Sequence, residues 1–151
     1  MGAFGDFFPE KERADLAEQH LTPGEVLYLF CDFTTPPKEK YFIVASHTGR
    51  PLLFIINSEI HPYVAKRPHL NQCQVQLSVQ EYDFLDHDSF ANCSKVIDDF
   101  TKADIIQQIS EDIGIIRGHI NSATKKDIIN AVSNSTTISR HHKNLIIQAL
   151  Q

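Results

Sequence analysis

Lys40 stands at the start of an apolar run, Tyr41-Phe42-Ile43-Val44-Ala45-Ser46, just after a proline-containing polar stretch, Thr34 to Glu39. A cation at the rim of a buried strand is placed to meet a phosphate, and Lys38 repeats the charge two residues earlier. Ser58-Glu59-Ile60-His61 follows the next apolar run, so hydroxyl, carboxylate and imidazole meet at a strand end. Such groups can carry protons in general acid–base work. Lys66 and Arg67, with Tyr63 and His69 nearby, form the most cationic short segment. An aromatic beside cations suits a stacked base and its phosphate.

Other candidates have plainer readings. The eight histidines include no H-E-x-x-H or H-x-E spacing, and His141-His142, adjacent on an expected helix, point different ways. Asp86-His87-Asp88-Ser89 combines acid, base and hydroxyl. Triad roles, however, converge from separate elements, so a turn with side chains bonded to the backbone is expected there. Cys31, Cys73 and Cys93 are odd in number and lack C-x-x-C spacing, which argues against a disulfide framework and a thiolate zinc site. No glycine-rich phosphate loop is present. Neither a cofactor nor a metal is expected.

The elements that must position these residues follow from periodicity. Pro9 to His20 reads as a short helix, ended by Thr22-Pro23-Gly24. Strands are expected over 25–33, 41–46 and 51–57, the last two as a hairpin turning at His47 to Arg50. The segment 34–40 is expected as a loop and 58–72 as irregular chain. From Cys73 to Gln80, apolar and polar residues alternate as in a half-buried strand. Further strands are expected over 89–96 and 113–120. Thr101 should cap a helix over 102–109, Ser122 one over 123–133, and Thr137 or Ser139 one over 140–150. The result is an α+β fold. Its small, curled antiparallel barrel carries an N-terminal helix and C-terminal helices. One domain is expected, with an extension (1–22), a barrel core (23–120) and closing helices (121–151).

Composition limits the function. The 151 residues are 42% hydrophobic and 22% charged, as in a globular domain, and no apolar run is long enough to span a bilayer. The formal net charge of −5 excludes a generally basic nucleic-acid binder, though not a local basic patch. The first residues lack the cationic and apolar regions of a secretory signal. A cytoplasmic protein without membrane attachment is expected.

The order of features resembles the MazF/PemK/Kid toxin family. Pro23-Gly24-Glu25-Val26-Leu27-Tyr28-Leu29 is similar to its opening strand. The polar loop 34–39, the cation-led strand from Lys40 and the run Leu52 to Ser58 follow in the family's order. So do the acidic-Ser segment from Asp88-Ser89 and the helix over 101–109. The likeness is one of pattern and covers most of 23–133.

It implies an SH3-like barrel, a homodimer, metal-independent cleavage of single-stranded RNA, and an antitoxin partner. Carried over by position, it implies Lys40 on the scissile phosphate and Ser58 as hydrogen-bond donor; His47 or His61, which no family motif places there, is the acid–base candidate from the residues themselves. Lys38, Lys66, Arg67 and Tyr63 are the RNA-binding candidates. The family has Arg-Pro where this chain has Lys40-Tyr41, and lysine lacks arginine's bidentate fork. That change, the acidic balance and the added helices support an alternative. In it, the barrel has lost catalysis and binds protein or nucleic acid.

Overall fold

The computed structural model describes Asp15, Glu18, Gln19 and residues 21–151. The helix expected over 9–20 therefore lies outside the described residues, apart from those three positions.

Six strands form one curled, entirely antiparallel sheet in an α+β fold. They are β1 (Glu25–Cys31), β2 (Lys38–Ser46), β3 (Leu52–Asn57), β4 (Gln74–Leu77), β5 (Ser89–Asn92) and β6 (Ile116–His119). The spatial order is β4-β5-β3-β2-β1-β6. From residue 21 on, the helices are α1 (Pro62–Ala65), α2 (Pro68–Asn71), α3 (Lys102–Glu111), α4 (Ser122–Asn134) and α5 (Arg140–Leu150).

Strand alternation sends side chains to two apolar layers. Val26, Ile43, Phe54, Ile56 and Ala91 pack on one face with Ile128 and Val132 of α4 and Ile146 and Leu150 of α5. Leu27, Leu29, Cys31, Phe42, Val44 and Leu53 pack on the other with Ile105 and Ile109 of α3. A sheet buried on both faces over its centre explains why β2 and β3 read as nearly continuous apolar runs.

Local chemistry sets the ends of the elements. Thr101 caps α3 through a reciprocal box: its side chain accepts from Asp104 N–H (3.0 Å), and its own N–H donates to Asp104 (3.0 Å). Ser139 caps α5 by accepting from His142 N–H. Gly24, at φ 95°, closes the turn before β1, donating to Val44 O (2.7 Å) and accepting from Ile120 N–H (2.9 Å).

The strands expected over 25–33, 73–80 and 89–96 are shorter, ending at Cys31, Leu77 and Asn92 where turns follow. Four further expectations are corrected. Residues 38–40 belong to β2 rather than a loop, because Leu29, Phe30 and Cys31 of β1 pair with them and extend the hairpin. The segment 58–72 holds α1 and α2, each with proline at its first position, where the missing N–H costs nothing. Asn121, not Ser122, caps α4, accepting from Thr124 N–H at 2.9 Å. Ile113–Ile115 forms a 3₁₀ turn, so β6 starts only at Ile116. The turn expected at Asp86 to Ser89 is present: Asp88 accepts from Val79 N–H, and Ser89 donates to His87 O.

Candidate functional site

β2 runs Lys38, Glu39, Lys40 before it becomes apolar, and alternation separates these charges. Lys38 and Lys40 pair with Cys31 and Leu29 and share their face. Glu39 pairs with Phe30 and takes the other face. Lys40 Nζ donates to Asn57 Oδ1 (3.3 Å) on the neighbouring β3. Asn57 stands opposite Phe90 of β5, and Phe90 opposite Gln76 of β4. Directly paired residues share a face, so Lys40, Asn57, Phe90 and Gln76 form a row about 14 Å long at the usual strand spacing. Helix α3 covers the β1 side of this face. Gln76 is exposed, and Asn57 and Phe90 are half-buried.

Lys40 is half-buried, and burial pushes its ammonium below the usual lysine value. The nearby Lys38 charge pushes it further down. Among the described residues, no carboxylate lies within ion-pair distance of Lys40, and its polar partner is the neutral Asn57 amide. A partly desolvated cation held by a neutral acceptor retains its attraction for an anion.

The predicted residues divide by position. Ser58 is exposed and follows Asn57, so it lies at the same sheet end as Lys40. His61 stands three residues further on and caps α1, its Nδ1 accepting from Tyr63 N–H (3.0 Å). The neutral ring then carries its proton on Nε2, and a further proton can add only at Nδ1, in place of the Tyr63 N–H bond. His47 follows Ser46 at the far end of β2, roughly 20 Å from Lys40 by strand rise, and is not brought to this group. Tyr63 and Arg67 are joined to each other: the guanidinium lies 3.4 Å from the ring centroid and donates to Tyr63 O at 2.7 Å. Arg67 thus occupies one face of the ring, while Tyr63 remains 55% exposed. Lys66 is exposed at the end of α1.

Asn57, Phe90 and Gln76 were not among the candidates read from sequence. The alternating glutamines of 74–80 signalled a wet strand face, but nothing in the sequence placed that face beside Lys40. His87, in the expected turn, is exposed and contacts Ser89, one residue before Phe90.

The three cysteines are free and buried. Burial pushes the Cys31 thiol up to about 11 and the Cys93 thiol beyond the range where it ionises near neutrality. Neither is an activated nucleophile. Among the described residues, no group of three His, Cys, Asp or Glu is placed to hold a metal ion, and no helix is long and apolar enough to cross a membrane. No protein-family model matches the chain, and no curated protein matches it in sequence.

Proposed function

We propose that this chain is a MazF/PemK-like, toxin-related protein with an SH3-like barrel, acting on single-stranded RNA at the shelf around Lys40. The observation that carries this reading is the half-buried Lys40 ammonium, bonded to Asn57 and free of any carboxylate within ion-pair distance among the described residues. Such a cation fits a phosphodiester oxygen. Lys38 adds charge, Phe90 and Tyr63 offer ring faces to bases, and Gln76 and Asn57 offer amide contacts.

Cleavage by this arrangement needs no metal. The ribose 2′-oxygen attacks phosphorus as its proton passes to a base, the 5′-oxygen leaves and takes a proton, and a 2′,3′-cyclic phosphate remains. Lys40 stabilises the charge on the phosphoryl oxygens. Ser58 donates to the same group, and His61, three residues after Ser58, is the acid–base group, taking a proton at Nδ1 once its bond to Tyr63 N–H opens. As in the family it resembles, the protein would work as a homodimer in the cytoplasm and be held inactive by an antitoxin.

The test is incubation of purified protein with a long single-stranded RNA in EDTA, beside Lys40→Ala. Cyclic-phosphate ends made by the native chain and lost in the variant support the reading. A second reading, RNA binding without cleavage, is favoured by the remoteness of His47 and the capping role of His61 Nδ1. It predicts Lys40-dependent binding with the RNA left intact.

A further inference from the structure

A groove of about 730 Å³ runs beside the end of β1 and α3. Its walls carry Asp32, Glu39, Asp99, Asp104, Glu111 and Asp112. Among the described lining residues, one guanidinium, Arg117, stands against these six carboxylates. Among the described residues, no Lys or Arg pairs with any of the six within ion-pair distance.

Exposed apolar surface collects at the same place. Phe30, at 46% exposure, and Phe33, at 41%, line the groove, and Ile113 lies exposed between the lining residues Asp112 and Ile115. Apolar patches bounded by one sign of charge mark interaction surfaces. Arg117 already shows how a guanidinium sits here: it lies 4.7 Å from the Tyr28 ring centroid and 5.9 Å from that of Tyr41. The backbone of β1 is less accessible at Phe30, because Gln108 engages both its N–H (2.8 Å) and its C=O (3.3 Å). Recognition would therefore work through side chains rather than strand addition.

We propose that this groove docks a cationic segment of a protein partner, in which Lys or Arg residues alternate with aliphatic ones. Charge complementarity selects that occupant. Nucleic acid would be repelled by the same carboxylates. Incoming Arg and Lys would pair with the carboxylates and stack on Phe30 and Phe33, while the aliphatic residues cover the phenyl edges. Neither Lys38 nor Lys40 is among the described lining residues, though Glu39 between them is, and occupancy of the groove does not depend on whether RNA is cut.

The test uses the intact chain and a fluorescent peptide of alternating Arg, Leu, Lys and Leu, followed by anisotropy near physiological salt. The comparison is between Asp32→Asn/Asp99→Asn/Glu111→Gln and a control of equal net charge, Asp83→Asn/Asp86→Asn/Asp127→Asn. Circular dichroism verifies that both remain folded. The groove variant should bind at least about tenfold more weakly and the control within about twofold, since close complementary charges set affinity locally. Phe30→Ser should also weaken binding. Carbodiimide coupling of the peptide to the native chain should mark groove carboxylates, giving a reading that needs no variant. Absence of binding, equal weakening in both variants, or coupling mainly elsewhere would overturn the proposal. So would sedimentation showing self-association that the groove variant abolishes, because the occupant would then be a second copy.

Discussion

Lys40 Nζ and Asn57 Oδ1 meet at 3.3 Å across the β2–β3 pair, joining a cation to a neutral acceptor at the end of an apolar sheet. A lysine kept for stability alone would gain more from a carboxylate partner or from solvent. Lys40→Gln should leave thermal stability near pH 7 unchanged or raised, while weakening RNA binding by about tenfold or more, as for loss of a charge-assisted hydrogen bond. Lys40→Arg should retain binding. The pH dependence has a definite sign. Burial lowers the folded-state pKa, so the unfolded chain binds more protons, and stability rises with pH through a window ending near 10.5. Thermal melts across that window should show the rise in the native chain and its reduction in Lys40→Gln.

Gln108 acts as a side-chain substitute for a neighbouring strand, bonding both backbone groups of Phe30. Gln108→Ala should cost about 1 kcal/mol, because water replaces the amide at this exposed edge. Urea denaturation would give that value. Light scattering should also detect greater concentration-dependent association, as expected for an uncovered strand edge.

Two glycines share positive φ but not surroundings. At Gly24, φ 95°, a Cβ would meet the His119 ring at 2.7 Å and Lys125 Cε at 2.9 Å. At Gly49, φ 78°, a Cβ would meet nothing within 4 Å. Gly24→Ala should therefore lose roughly 2–4 kcal/mol, combining left-handed backbone strain with displacement of packed groups. Gly49→Ala should lose only about 1–2 kcal/mol, the backbone part alone. Denaturation midpoints of the two variants would measure the difference.

The Thr101–Asp104 box predicts a specific acid sensitivity. Hydrogen bonds from Thr101 hold the Asp104 carboxyl below its ordinary 3.8, so its stabilisation is present above that value and lost as pH falls through the lower folded-state value. Asp104→Asn should cost about 1 kcal/mol near pH 7, the usual scale for a helix cap. The gap from the native chain should close only at pH below 3.8. Paired urea titrations over this range provide the check.

Some of this was legible in the residues. Apolar runs located the cores of β1, β2 and β3, Thr101 identified the start of α3, and Thr137 or Ser139 bracketed that of α5, because caps and alternation act within a few residues. The strand character of Lys38 to Lys40 was hidden, because polar residues after two prolines resemble a loop until Leu29 to Cys31 pair with them. Lys40 and Ser58 were recognisable as a cation and a hydroxyl at strand ends. Asn57, Phe90 and Gln76 were not recognisable as their neighbours, since they come from three different strands.

By itself, the sequence determined the α+β class, the cores of the apolar strands, the capped helices and the types of group able to meet a phosphate. These depend on short-range periodicity and on the chemistry of single side chains. Only the tertiary structure decided which charges stand together. The order β4-β5-β3-β2-β1-β6 carries Lys40 towards β5 and leaves His47 at the opposite strand end. The packing of α3 against β1 gathers six carboxylates from separated segments into one groove. Strand order and helix docking arise from hydrophobic burial between residues far apart in the chain, and that burial is nondirectional and invisible to local spacing.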